Sequence, residues 1–280
     1  MLLSRPLEAA PRLLLYLAMV TASSCLGMGT PPGAASPHTI ARNHMPQLQA
    51  HVFADPATGL ALPYRLFVPA GCSAESPCGL LLFLHGAGER GDDNEAQLAN
   101  DALGFVRPEV QEGNPTIVVY PQCPKEMQWV DTPWNTGSYS LARTPISKPM
   151  AVALKLLATL QTQYPIAPNR LLVTGLSMGG YGVWDIIVRH PTMFAGALVL
   201  CGGGDPEHAA ALRDLPLWAF HGDQDQAVPV RGSRLMIKAL RKAGGSPRYT
   251  EVAGHGHDVW TVAYRDVEVM RWLLAQRRRP

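Results

Sequence analysis

Five short apolar runs, residues 80–84, 117–120, 171–174, 197–200 and 217–220, recur along the chain without alternating apolar and polar side chains. A strand with one face in water alternates; a strand buried on both faces does not. These runs therefore predict a parallel sheet covered on both sides. The segments between and after them supply the cover, since residues 149–164, 180–189, 230–242 and 261–277 carry helical patterning. Strands alternating with helices predict one α/β domain with right-handed crossovers. Residues 49–54 and 64–69 read as leading strands, antiparallel at one edge, and 248–252 as a last strand.

Composition is consistent with a large core, with 47% hydrophobic and only 16% charged residues in a 280-residue chain. The formal charge is +2, and the only basic tract is Arg277-Arg278-Arg279, so a nucleic-acid partner has no electrostatic footprint. The N-terminus reads as a separate segment. Leu13 to Val20 is apolar, follows Arg5 and Arg12, and is too short to span a bilayer, which matches a signal peptide over residues 1–25. Cys25 also resembles the cysteine of a bacterial lipoprotein box, with Ala22 where a leucine is usual, so it is a candidate lipid anchor. Residues 26–47 read as a Gly/Pro/Ser/Ala-rich linker, and 48–280 as the folded domain. The expectation is an exported protein, periplasmic or secreted, without a membrane span.

Ligand chemistry in such sheets gathers beyond the carboxyl ends of the strands. After the run 171–174 comes Gly175-Leu176-Ser177-Met178-Gly179-Gly180, a G-x-S-x-G between a strand and a helix. In that context the motif is a nucleophile elbow, a sharp turn that exposes the serine hydroxyl. After 80–84 comes His85-Gly86-Ala87-Gly88-Glu89-Arg90-Gly91. It lacks the lysine and hydroxyl residue of a phosphate loop, and reads instead as an oxyanion loop. The oxyanion donors would be the N–H groups of Ala87 and Met178. Glu89 and Arg90 read as a pair bracing the loop, or as solvated charges.

After 217–220 come two carboxylates, Asp223 and Asp225; after 248–252 come two histidines, His255 and His257. Either member of each pair suits an orienting acid or a base. His255 and His257 also have metal-pair spacing, but no third ligand or Cys-x-x-Cys is evident, so neither a metal nor an organic cofactor is expected. His85 and His221 each precede a glycine at a strand end and read as loop-fixing. The order serine, aspartate, histidine is that of α/β-hydrolases.

The sequence resembles the α/β-hydrolase superfamily from about residue 48 onward. More narrowly, it looks like the exported esterases related to feruloyl esterases and polyhydroxybutyrate depolymerases, a group often labelled predicted peptidases. "LLFLHGAGERGDDN", "VVYPQCP" followed by Trp129, "GLSMGGYGVWD", "HGDQDQAVP" and "GHGHDVW" carry the resemblance. It implies an α/β-hydrolase fold and a Ser177–His257–Asp225 triad, because the patterns H-G-x-x-D-x-x-V-P and G-H-[DN]-x-W select Asp225 and His257. It further implies acyl transfer on a small or polymer-linked ester, with a serine peptidase on the same fold as the alternative and a non-catalytic binding protein as the other class.

Residues 128–148 lack periodicity, and loops that long are usually functional or disordered. Trp129 and Trp134 are therefore candidate substrate-binding residues, for stacking on a sugar or aromatic acyl group, and Glu89, in the loop after 80–84, is a further candidate. Little chain lies between residues 200 and 217, so no large cap domain is expected and the cleft should be open. In the strand order usual for the fold, the strands before Cys123 and Cys201 are about 14 Å apart, beyond disulfide reach. The expectation is a Cys72–Cys78 disulfide, with Cys123 and Cys201 free.

Overall fold

The computed structural model describes residues 48–278. The signal-peptide, lipid-anchor and linker expectations fall on residues 1–47 and lie outside the described residues. Eight strands form one sheet: β1 (Leu48–Ala54), β2 (Ala61–Phe67), β3 (Cys78–Leu84), β4 (Thr116–Pro121), β5 (Ile166–Leu176), β6 (Gly196–Leu200), β7 (Leu217–Gly222) and β8 (Arg248–Val252). Their spatial order is β1-β2-β4-β3-β5-β6-β7-β8. The first two pairings, β1 with β2 and β2 with β4, are antiparallel; the others are parallel.

Among the described residues, six α-helical segments accompany the sheet: α1 (Pro108–Gln111), α2 (Lys148–Gln163), α3 (Met178–Arg189), α4 (Arg231–Lys242), α5 (Trp260–Ala263) and α6 (Val267–Leu274). Strand β3 shows why the apolar runs do not alternate. Leu80, Leu82 and Leu84 enter one core with α2, α3 and α4, while Leu81 and Phe83 enter the other with α1, α5 and α6. Each face of the strand is thus a core face. The result is an α/β-hydrolase fold with helices on both sides. Between β6 and β7 the chain forms only a 3-10 segment, Pro206–Leu212, so no large cap is inserted there.

Two expectations need correcting. The helix expected over 261–277 is two pieces, α5 and α6, because Asp266 breaks it. Its carboxylate accepts the Glu268 N–H at 2.9 Å and caps α6, which competes with continuing the helix. The second strand runs from Ala61 to Phe67 rather than over 64–69. The turn before it is tied by Thr58 Oγ1 donating to Asp55 Oδ2 at 2.7 Å, so pairing with β1 begins directly at Ala61.

The topology selects the position of the site. From β3 the chain crosses one face to β4, then returns over the other face to β5 on the far side of β3. Connections from the carboxyl ends of the adjacent strands β3 and β5 leave on opposite faces, which opens a crevice there. Cys72 and Cys78 are disulfide-bonded with Cα atoms 5.5 Å apart, tying the loop before β3 to its first residue. Cys123 and Cys201 are free and buried.

Opening this small ring should cost about 2 kcal/mol, the chain-entropy value for a loop of this size. The expected outcome is a lower urea midpoint for Cys72→Ser at unchanged m-value. An unchanged midpoint would show that the bond contributes nothing to stability.

Candidate active site

At the end of β5 the chain turns into α3 through Ser177, whose φ of 55° and ψ of −118° lie outside the regions most side chains occupy. Two glycines make the turn feasible. A Cβ on Gly175 would lie 2.6 Å from the Gly179 carbonyl oxygen, and one on Gly179 would collide with the Leu84 carbonyl at the end of β3. The Ser177 N–H donates to Leu200 O at 3.0 Å, which fastens the turn to β6.

His257, in the loop after β8, and Asp225, in the loop after β7, complete a continuous chain. His257 Nε2 lies 2.7 Å from Ser177 Oγ, and His257 Nδ1 lies 2.7 Å from Asp225 Oδ2. An ionised carboxylate only accepts, so the proton between them sits on Nδ1. Nε2 is left to accept the serine O–H. Asp225 Oδ1 accepts the N–H groups of Ala227 at 2.9 Å and Val228 at 2.8 Å. Burial alone would raise the Asp225 pKa. The hydrogen bonds from His221, His257 and the Val228 N–H outweigh it and hold the group well below the usual carboxylate range.

The paired alternatives fall elsewhere. Asp223 Oδ1 accepts the Gly254 N–H at 2.8 Å and braces the loop that carries the histidines. His255 faces Asp258, 3.7 Å away, at the surface. Cys201 Sγ, an Asp225 oxygen and a His257 nitrogen lie within 4.8 Å of one another, a donor set that would suit a transition metal. Those donors are already committed. The carboxylate and imidazole bond each other, and burial pushes the Cys201 thiol pKa up, which keeps it protonated.

A cleft of about 410 Å³ opens over Ser177 and His257, walled by the Gly86–Glu89 turn, Asn100, Trp134, Leu176, Val228 and Trp260. A larger cavity of about 780 Å³ lies at the amino ends of β6 and β7, beside Ala195 and Pro216, and includes none of the three chain residues. The smaller cleft is the candidate site because it lies at the strand ends where the loops converge. Ala87 begins the 3-10 turn after β3, beside the serine. Met178 begins α3, and an N–H in a first helical turn has no intrahelical acceptor.

Of the three candidate substrate contacts, Trp134 and Glu89 line the cleft and Trp129 does not. Trp129 is fully buried, and its indole N–H donates to His85 O at 3.1 Å. Its Cβ packs over Gly182 of α3, where a larger residue would collide. It is an anchor beneath the Gly86–Glu89 loop, and the reading of it as a substrate platform is corrected. Trp134 is held in the wall by Tyr181, whose hydroxyl donates to Trp134 O at 2.7 Å, and by Arg90, whose guanidinium lies 5.7 Å from the ring centre.

Glu89 and Arg90 do not pair, contrary to the bracing reading. Arg90 donates to Ala87 O at 2.9 Å, and Glu89 accepts from Asn100 Nδ2 at 2.9 Å. Burial raises the Glu89 pKa. The rest of the 128–148 loop is tied down: Tyr139 donates to Asp185 at 2.8 Å, and the Leu141 N–H donates to Asp205 at 2.8 Å. Sequence reasoning missed Asn100, which nothing in the pattern marks. Trp260, edge-on to His257 at 5.5 Å, was visible as the last residue of the histidine motif but had not been given a place in the cleft.

A model of the phospholipase/carboxylesterase family matches residues 70–270. The chain is similar to a thermostable esterase of known structure, 37% identical with a TM-score of 0.76, over 83% of this chain and 64% of that one. It therefore spans just under two thirds of that protein. A stretch of 56 residues is 45% identical to a monoacylglycerol lipase of Mycolicibacterium smegmatis, which is 19% of this chain and 20% of the lipase. A ferulic acid esterase from Anaeromyces mucronatus, solved with ferulic acid, shares the fold at 13% identity, with a TM-score of 0.60 over 81% of this chain and 90% of that one.

His85, at the start of the loop after β3, gives a pH prediction. His85 Nε2 accepts the Cys123 N–H at 2.9 Å while Nδ1 bonds Gly86 O at 2.6 Å, so the ring is neutral. Burial pushes its pKa down to about 4. The unfolded chain takes up that proton first as pH falls. The stabilisation is therefore complete above about pH 6.5 and is lost progressively towards pH 4, to the extent of about 3 kcal/mol. In urea unfolding across this window, His85→Gln should be less stable than the parent at pH 7 and should show a flatter pH dependence. Parallel curves for the two proteins would remove His85 from the acid sensitivity.

Proposed function

Since the chain belongs to the phospholipase/carboxylesterase family, we propose that it is a serine-dependent carboxylic-ester hydrolase acting through Ser177, His257 and Asp225. The observation that carries this reading is the unbroken chain of two 2.7 Å contacts from carboxylate to imidazole to hydroxyl, opening into the cleft. In this mechanism His257 takes the Ser177 proton as Oγ attacks the ester carbonyl. Asp225 holds the imidazole in the required tautomer and stabilises its charged form. The N–H groups of Ala87 and Met178 receive the developing oxyanion, where losing one donor typically costs about 3 kcal/mol. The protonated His257 then passes its proton to the leaving alcohol, and water hydrolyses the acyl-enzyme by the reverse sequence.

The absence of an inserted cap between β6 and β7 and the aromatic walls Trp134 and Trp260 support an acylated sugar or a polymer-linked ester as substrate. Export is part of the proposal. The Cys72–Cys78 disulfide supports it, because such bonds persist in oxidising compartments. Among the described residues, no helix is long and apolar enough to cross a membrane.

A turnover screen over p-nitrophenyl esters, feruloylated and acetylated sugars, and dipeptide amides tests the substrate class. Turnover of the sugar esters above the simple esters is expected. Cleavage confined to the amides would replace this reading with a peptidase. Within the triad, Asp225→Asn is expected to lower kcat by about four orders of magnitude, because the histidine takes the wrong tautomer. Asp223→Asn and His255→Ala should retain most of the turnover that His257→Ala loses. A dead His255→Ala with an active His257→Ala would reverse the assignment of the base.

A further inference from the structure

We propose that His221 is a positioning residue for the triad: its Nε2–H shares Asp225 Oδ2 with His257 and so sets how strongly that oxygen holds the base. The inference rests on the triad reading above and extends it to a second histidine, one that sequence reasoning had assigned only to fixing a loop.

His221 lies near the end of β7, four residues before Asp225, and is fully buried. Its Nε2 is 3.2 Å from Asp225 Oδ2 and 3.0 Å from Val228 O. Both neighbours only accept hydrogen bonds, so Nε2 carries a hydrogen in either protonation state of the ring. The opposite nitrogen, Nδ1, is 2.8 Å from Ser233 Oγ: in the neutral ring it accepts the Ser233 O–H, and in the charged ring it donates to Oγ, whose own hydrogen then goes to Gly202 O, 3.1 Å away. Ser233 is itself buried, on α4. The ring is therefore gripped at both nitrogens, and the bond to Val228 O holds Nε2–H beside the carboxylate.

Two backbone N–H groups bond Oδ1, the His257 N–H bonds Oδ2, and the His221 N–H, which bonds Val228 O, stands 3.2 Å from that same Oδ2. A second donor on Oδ2 draws charge away from the bond to His257. Removing it leaves a more basic oxygen and a His257 that gains its proton at higher pH. Removal also frees the carboxylate to swing, since one of the two groups that fix Oδ2 is gone.

The other ionisable neighbours are fixed across the comparison. The Cys201 thiol and the Tyr181 phenol are pushed up by burial and stay neutral. Glu251, which faces His221 from β8, is paired with Arg234, and Asp258 beside His257 is exposed. None of them donates to Oδ2 among the described residues.

The test is a titration of the full chain carrying ¹⁵N-labelled histidine, as the parent, His221→Leu and His221→Gln. In the parent, His221 Nε2 should be protonated across the whole range. In His221→Leu the His257 midpoint should rise by about 0.5–1 pH unit, part of the effect of one hydrogen bond to a charged group. In His221→Gln, whose amide replaces the donor, it should return towards the parent value. A folded His221→Leu with an unchanged or lower midpoint would overturn the proposal, as would an unprotonated Nε2 in the parent. If the Leu variant does not fold, the parent spectrum and the Gln variant still decide. The acid limb of kcat/KM should move with the midpoint. A midpoint shift without a matching limb would overturn the triad reading and leave the His221–Asp225 contact standing.

Discussion

The closest packing in the site is backbone against backbone. Gly175 and Gly179 lie against the Leu84 carbonyl at the end of β3, with no room for a side chain on either. That contact presses the serine turn onto the strand that leads into the Gly86–Glu89 loop. It holds Ser177 in a conformation that costs of order 1–3 kcal/mol and must be enforced by its surroundings. The enforcement comes from β6, through the Ser177 N–H bond to Leu200, and from Trp129, fixed beneath the same loop. Every other part of the site is positioned relative to this junction. The β7 and β8 loops bring Asp225 and His257 to it, and the 128–148 loop brings Trp134.

Around that rigid centre, two buried groups, Asp225 and His85, each keep one protonation state. Asp225 is buried yet anionic, because several hydrogen bonds outweigh its loss of water. His85 is buried and neutral, because it accepts a backbone N–H that an imidazolium could not. His221 bonds Val228 O, and its Nε2 lies 3.2 Å from Asp225 Oδ2. The proposed base, His257, keeps partial contact with solvent, with 27% of its side chain exposed. A group that must gain and lose a proton during turnover is thus the one left open, while its supporting groups are shut in.

Much of this was legible in the sequence, for physical reasons that can be named. Strands buried on both faces cannot alternate, so the apolar runs mark the sheet directly. A glycine-flanked serine between a strand and a helix marks the elbow, because close backbone approach excludes other residues. The choice of Asp225 and His257 over Asp223 and His255 came from resemblance rather than from spacing, and the geometry brings the chosen pair together. What was not legible depended on side-chain direction. Trp129 and Trp134 occupy one aperiodic loop, yet one turns inward under His85 and the other outward to the cleft. Glu89 and Arg90 are adjacent in sequence but point to different partners. Asp266 ended a helix that its neighbours would have continued. His221 opens the H-G-x-x-D-x-x-V-P pattern, but its partner Ser233 lies twelve residues away on another element, so its contacts were not legible.

The central claim is that Ser177 is a nucleophile activated by this geometry. Peptide mapping by mass spectrometry after treatment of the folded protein with a fluorophosphonate tests it most directly. The account predicts a single adduct, on the peptide carrying Ser177, and none in a folded Ser177→Ala protein. An adduct on another residue, or an unmodified Ser177 in a folded parent protein, would contradict it.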